Sequence, residues 1–499
     1  MAVSGIGSSS MMTLQAIGQM RDQLDDLQTQ LGSGLKSTTY SGLGLDRGLT
    51  IGLRSQLSSI SGYQETISQV GVRLDLMQTA LSQFTDLSGQ TQGTILQSQY
   101  VLAGGSQTQD QKTTATTLDA LVGMLNTQAD GRYLFSGSTV NTEPVESTDH
   151  ILNGDGLKAG LVQVIAERKQ ADLGTAGLGR VSVAASGTAG VSLGDDASPF
   201  GFKLAGATTA MAGAVVTQPS GTPPQTLTVD LSGAAPADGD TIKFTFTLPD
   251  GTSRDMTLTA TTASPPGAGQ FTIGATPAAT AAGLQTAVSQ SLGTLANTEL
   301  VAASAVAAGN DFFNTDASHP PMRVAGPPFD SATALVDGSA DTVAWYKGDN
   351  ATTDPRQTAL ALADQSLTVA YGARANEQGL RDVVQSLAVF AATQFSGSDP
   401  NGQAQYAALR QRIGQTLNGS PNQQQVSDIS GQLASAQVAL NDANDRHNQT
   451  NTTLQNLLQS VQGAPQEQVA AQILSLQTSL QATLQTTAML LKTSILNYL

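Results

Sequence analysis

The sequence has no cysteine, few aromatic residues and few charges. The absence of cysteine from all 499 residues excludes disulfides, thiolate metal sites and thiol catalysis. Aromatic residues make up 4% of the chain and charged residues 12%, beside 39% hydrophobic residues. This composition differs both from an ordinary globular enzyme and from a chain kept disordered by high charge. The 23 basic and 39 acidic residues give a net charge of −16, so we expect neither nucleic acid nor an anionic membrane as the main partner.

Long apolar runs and histidine are also scarce. No apolar run is long enough to span a bilayer, so we expect no membrane insertion. The first residues, MAVSGIGSSSMM, have neither the basic start nor the continuous apolar core of a general secretory signal peptide. The histidines, His150, His319 and His447, do not have the spacing of a helical zinc site. The glycine-rich segment 153–160 lacks the lysine and hydroxyl that end a phosphate-binding loop. We therefore predict no enzyme activity, no metal and no cofactor.

Apolar residues at the N-terminal end recur at helical spacing. Steps of three and four place one set on a single face of an outer helix predicted over about 10–35; the set is Leu14, Ile17, Met20, Leu24, Leu27 and Leu31. The glycine-rich break LGSGLKSTTYSG follows. A longer inner helix then continues the pattern through a seam that includes Ile60, Ile67, Leu74 and Leu81.

The C-terminal end repeats this plan in reverse order. Ser420 and Pro421 predict the N-cap and first turn of a second inner helix. Its seam includes Val426, Leu433, Leu440, His447 and Leu454. The break QGAPQ then precedes a final outer helix with Ile473, Leu476, Leu480, Leu484 and Leu491 at its apolar positions. The two ends therefore match, and we predict that outer helix pairs with outer helix and inner with inner.

The middle of the chain has a different character. Further helices are predicted over 106–128, 375–396 and 403–417, whereas residues 143–340 are rich in Gly, Ala, Thr and Pro and contain short alternating segments. TIKFTFTL and MTLTA flank a PDG turn and predict a hairpin, which is followed by a strand at QFTI, a helix around Leu284 and a strand near ELVAAS. TVAWYKGD and LTVAYGARANE predict a strand pair that rejoins the helices.

These patterns define a predicted fold class and domain plan. The fold is mainly α with an α+β insert, in which long antiparallel terminal helices form a coiled coil or helical bundle and a β-rich domain is inserted mid-chain. The predicted domains are an outer helix (1–45) paired with another (465–499), two bundle halves (46–142 and 341–464) paired with each other, and an outward-facing insert (143–340).

The stretch ADGRYLFSGS at 129–138 places two aromatics together in a chain that has few. Asp130 and Gly131 predict a left-handed helix C-cap. Tyr133 and Phe135 then predict an extended segment whose aromatics cap the bundle where helices give way to strands.

A chain whose ends pair while its middle protrudes is typical of an assembly subunit, because each outer helix alone has little against which to bury its apolar face. The outer-helix residues named above are therefore the predicted subunit interface, and the inner-helix residues are the predicted bundle seam.

Several of these segments together resemble the bacterial hook-associated protein of the hook-filament junction, a flagellin-like family. They are LGSGLKSTTYSG, ADGRYLFSGS, WYKGD, YGARANE and the ending TSILNYL, within residues 1–140 and 340–499. The resemblance implies an extracellular subunit of the bacterial flagellum, exported unfolded through the flagellar type III apparatus with an export chaperone. It also implies self-association in a ring between the hook-side junction protein and flagellin.

Flagellin itself is the alternative that the sequence leaves open. GLKSTTYSGLGLD lacks the paired acids usual in flagellins, and the final residues fit the junction protein better. The insert, however, is longer than expected of a junction protein, and TIKFTFTLPDG resembles inserts of some flagellins. A filament subunit with an adhesive insert therefore stands beside the junction adaptor, whereas no nucleophile motif supports an inserted hydrolase.

Overall fold

Long helices form both ends of the chain, and strands occupy its middle. The structure is a computed structural model that describes residues 4–419 and 422–496. Its α-helices are α1 (Ser4–Ser33), α2 (Arg47–Gln97), α3 (Gln109–Leu125), α4 (Thr148–Asn153), α5 (Leu161–Leu173), α6 (Pro277–Leu295), α7 (Val301–Phe313), α8 (Gln378–Ala392), α9 (Gly402–Leu417), α10 (Val426–Gln462) and α11 (Gln466–Leu496). The predicted fold class, mainly helical with a β-rich insert, is confirmed.

The strands fall into two larger sheets and several short pairs. They are β1 (Gln128–Ala129), β2 (Arg132–Tyr133), β3 (Ser182–Ser186), β4 (Gly190–Gly194), β5 (Lys203–Thr209), β6 (Val215–Thr217), β7 (Thr226–Asp230), β8 (Thr241–Thr247), β9 (Ser253–Thr261), β10 (Gln270–Thr272), β11 (Met322–Val324), β12 (Leu335–Asp337), β13 (Leu360–Asp364) and β14 (Leu367–Ala370). The four-stranded sheets have the orders β3-β4-β7-β6 and β10-β9-β8-β5, and the short pairs are β1-β2, β11-β12 and β13-β14. The predicted hairpin is the β8-β9 pair, in which Phe244 lies opposite Met256.

The chain divides into two compact units. The terminal unit comprises Met1–Val70, Ala361–Val369 and Val438–Leu499, and the central unit comprises Gly71–Leu360 and Ala370–Gln437. Helices α2 and α10 contribute residues to both units.

In the terminal unit, α2 and α10 run antiparallel. Arg54 of α2 donates to Gln462 at 3.2 Å, and Gln64, further along α2, donates to Asn448, which is earlier in α10, at 2.7 Å. Leu53, Ile60 and Leu454 form a buried cluster between the two helices.

In the central unit, the insert has its own apolar core. Alternate residues of β8 and β9, such as Phe244 and Leu258, point into this core, and Leu284 of α6 is buried in it as well. Helix α6 begins where sequence rules place a helix start: Thr276 accepts from the Ala279 amide and Pro277 occupies the first turn.

The segment ELVAAS is helical, so the predicted strand there is wrong. A π-helical turn, Ala296–Leu300, leads directly into α7. The alanines of α7 are small enough for close helix packing, and Ala303, Ala305 and Ala308 are completely buried. Helix α7 contacts α5, α8 and α9, so it joins the insert to the helices of the central unit.

The predicted strand pair between TVAWYKGD and LTVAYGARANE is also wrong. Strand β14 pairs with β13, which lies just before it in the chain. Thr342 and Tyr346 instead make isolated bridges to Ala159 and Val145. A short local hairpin closes a smaller loop than the predicted pairing and therefore costs less chain entropy.

Asp130 and Gly131 have the expected positive φ values, 52° and 73°, but they do not cap a helix. They form the two-residue turn between β1 and β2, while α3 ends at Leu125. Phe135 beyond this hairpin is completely buried, and its carbonyl accepts from the Ala375 amide at 2.8 Å. ADGRYLFSGS thus pairs with YGARANE. The predicted cap at Ser420 and Pro421 lies outside the described residues.

Candidate assembly surface

The two chain breaks that the sequence places near opposite ends lie side by side in the terminal unit. The Lys36 amide donates to the Gln462 carbonyl at 2.7 Å, and the Ala464 amide donates to the Gly34 carbonyl at 2.9 Å. Lys36 Nζ adds a bond to the Val461 carbonyl at 2.8 Å. Helix ends leave backbone groups without partners, and here each break satisfies those of the other. Gly34 has φ 68°, a conformation that favours glycine.

Outward from the paired breaks, α1 and α11 pack against each other. Ile17 and Ile473 are buried in the single chain. Other predicted interface residues are half-buried; these are Met20, Leu24, Leu27, Leu476 and Leu480. A groove of about 410 Å³ remains between the helices, and it is lined by Leu27, Leu476, Asp26 and neighbouring Gln and Ser side chains. The pair therefore buries part of its apolar surface and leaves the remainder unfilled.

The remaining predicted interface residues are exposed. Leu14 is 65% exposed, and Leu31 and Leu484 are also accessible. The side chain of Leu491 lies outside the described residues. The prediction omitted Met11, Met12 and Leu474, which are all exposed as well. Where two apolar residues are adjacent, as in Met11-Met12 and Ile473-Leu474, a spacing of three and four assigns at most one of them to the seam.

A second exposed apolar group lies at the start of α2 and was missed entirely. It consists of Leu45, Leu49 and Ile51. The intervening glycines of LGLDRGLTIG interrupt any helical period, so only the high apolar content could have indicated this group.

The predicted bundle seam is mostly buried within each unit. Ile60, Ile67, Leu440 and Leu454 are buried in the terminal unit, and Leu74, Leu81 and Leu433 in the central unit. Val426, at the first residue of α10, is half-buried.

His447 of the seam is buried and acts as a packing residue. Its Nε2 lies 2.7 Å from the Ala363 carbonyl, to which it donates, and its ring stacks on Tyr63 with a centroid separation of 5.5 Å.

The other two histidines, His150 and His319, pair with Glu146 and Asp316, respectively. Burial raises the pKa of Glu146, but bonds from the Ser147 amide and Lys347 outweigh it and hold that pKa below its usual range.

Helix α1 carries Arg21, Asp22, Asp25 and Asp26, whereas α11 is uncharged over most of its length. The sequence carries no charge between Glu467 and Lys492. Across residues 4–419 and 422–496, no three His, Asp or Glu side chains gather as a metal site. In the same residues, no helix is long and apolar enough to cross a membrane.

A paired helical rod with a partly exposed apolar surface is typical of an assembly subunit. Residues 7–140 match the family model of the bacterial flagellin N-terminal helical region. This match supports a flagellin-family structural subunit of the bacterial flagellum, which is an extracellular component. Comparison with curated proteins finds no match.

Proposed function

We propose that the protein is the adaptor at the hook-filament junction, joining the hook-side junction protein to flagellin. The observation that carries this proposal is the α1–α11 pair, whose apolar residues, including Leu14 and Leu484, remain accessible in the single chain. The missing acid pair in GLKSTTYSGLGLD favours the junction over the filament. We further propose export through the type III apparatus with a chaperone.

The proposed mechanism is mechanical. Copies associate in a ring because neighbouring rods cover the apolar surface that each leaves open. Burying one Leu or Ile contributes about 1.5 to 3 kcal/mol, so several such residues per copy would outweigh the cost of ordering the helices. The ring then matches the hook-side lattice on one side and flagellin on the other.

A charge in the rod should block incorporation. We expect Leu24→Asp and Leu476→Asp each to abolish filament attachment, because a carboxylate cannot be buried unpaired between copies. The matched control is Thr29→Asp, since Thr29 is exposed on the helix face that already carries Asp25 and Asp26. Electron microscopy of cells gives the readout, and circular dichroism checks that the chain still folds. Normal attachment with both leucine variants would contradict the proposal.

The second candidate is flagellin with an adhesive insert, favoured by the flagellin match and by the two inserted four-stranded sheets. Negative-stain microscopy of the concentrated purified protein separates the two candidates. Long filaments made by this chain alone would identify flagellin, whereas their absence favours the junction. Deleting residues 143–340 while attachment persists would assign the insert an accessory role.

A further inference from the structure

The turn of the β8-β9 hairpin lies against helix α9 in the central unit. Asp250 in this turn has a side chain only 3% exposed, and it accepts from Arg412 Nε of α9 at 2.8 Å. The Arg412 side chain is 8% exposed. Removing a charge from water is costly unless it is paired, so Asp250 depends on the Arg412 guanidinium in this position.

Glu299 extends this contact to strand β9. One of its carboxylate oxygens accepts from Arg412 at 2.6 Å, and the other accepts from Arg254 of β9 at 2.6 Å. Burial raises the pKa of Glu299, but the two arginine hydrogen bonds outweigh it and lower that pKa below its usual range. Glu299 is therefore a charged bridge between α9 and the hairpin.

The π-helical turn that carries Glu299 also contacts α9 through its backbone. Gln405 Nε2 donates to the Asn297 carbonyl at 2.8 Å, and the Gln405 residue is 3% exposed. Gln405 and Arg412 are two helical turns apart and so lie on one face of α9. A π turn departs from the regular α-helical bonding pattern, and the Gln405 bond lies in this turn.

We propose that Asp250, Arg254, Glu299, Gln405 and Arg412 form an interlock that fixes the inserted sheets to the helices of the central unit. The insert and α9 then move as one body, and a displacement of either is passed to the other. This goes beyond the proposed function, in which the insert could equally be a loosely hinged surface module. The burial of Asp250 and Arg412 distinguishes them from the Lys243–Asp255 pair on the same hairpin. The side chains of that pair are 46% and 48% exposed, so it should contribute little.

Hydrogen exchange of the full-length protein tests the proposal with Arg412→Gln and, as matched control, Lys243→Gln. We expect Arg412→Gln to raise exchange at least tenfold both in the turn 248–252 and in 296–300, while Lys243→Gln leaves both segments unchanged. A folded Arg412→Gln protein with unchanged protection in these segments would overturn the interlock.

Asp250→Asn provides the milder test and decides the matter if Arg412→Gln does not fold. It removes one charge on the hairpin side while retaining the shape of the side chain. The interlock predicts that exchange rises on both sides of the contact, in the turn and in 296–300. A rise confined to the turn would show that hairpin and α9 open independently and would contradict the proposal.

Discussion

Helix α1 of the terminal unit and helix α8 of the central unit both carry strong apolar patterns, but they bury them to different degrees. In α8, Val384, Leu387 and Phe390 are completely inaccessible. In α1, Ile17 is buried, whereas Leu14 and Met11 are largely exposed. Helix α8 contacts α3, α7 and α9, while α1 contacts α11.

The difference shows that an apolar helix face predicts packing against a partner, but it does not predict whether the same chain supplies that partner. For α8, the chain supplies helices on several sides. For α1, the chain supplies α11 and leaves a groove beside Leu27 and Leu476. These α8 residues are therefore buried within the single chain, whereas the α1–α11 pair leaves part of its apolar surface exposed.

Truncating one leucine in each helix tests whether α8 and α1 differ in packing. Leu387→Ala is expected to lower the free energy of unfolding by about 2–5 kcal/mol, because it leaves a cavity in a closed core. Leu14→Ala should change it by less than about 0.5 kcal/mol in the monomer, since little apolar contact is lost. Denaturant unfolding of the isolated protein measures both. Equal losses would mean that α1 is as fully packed as α8.

A pH experiment addresses the buried charges of the central unit. Burial raises the pKa of Asp311 in α7 to about 6, although Arg168, 2.7 Å away, opposes the shift. A carboxyl with a raised folded-state pKa holds its proton more tightly in the folded protein. Its stabilising contribution is therefore complete below pH about 4 and is lost as pH rises through about 6.

The matched variant for this effect is Asp311→Asn, which cannot titrate but can still accept from Arg168. The stability of the unmodified protein relative to this variant should fall by about 2–3 kcal/mol between pH 4 and pH 7, at about 1.4 kcal/mol for each unit of pKa difference. Unfolding curves at the two pH values give the result. A difference that stays constant with pH would show that Asp311 titrates normally.

Two glycine substitutions compare helix contacts in the two units. A methyl group on Gly309 of α7 would overlap Val389 of α8, so we expect Gly309→Ala to cost about 1–2 kcal/mol. Gly62 of α2, in the terminal unit, has no atom within 4 Å of an added Cβ. Gly62→Ala should therefore stabilise the monomer by about 0.5–1 kcal/mol. Thermal unfolding distinguishes the two signs, and a stabilising Gly309→Ala would contradict the close α7–α8 packing.

The sequence predicted what depends on local periodicity and missed what depends on distant contacts. The terminal helices and the β8-β9 hairpin follow from spacing alone, because each pattern lies within one element. ELVAAS failed because a buried alanine-rich helix has no polar face to reveal its period. Arg412 gave no signal, since its partners Asp250 and Glu299 are far away in the chain.

In the candidate assembly surface, too, the residues at helical spacing were predicted and the others were missed. Leu14 and Leu484 were predicted from spacing and are exposed, whereas Leu45 was missed because glycines surround it. The register between the two breaks could not be predicted, because nothing local in either break specifies which residues of the other it will meet.

The backbone bonds that join Gly34 and Ala464 set a common origin for counting along both outer helices. Each residue inserted or deleted in an outer helix rotates the part of that helix beyond the change by about 100°. A single-residue change in α1 or α11 would therefore turn its apolar face away from the other helix. Natural length variation in either arm should consequently occur in steps near seven residues, or as matched changes in both.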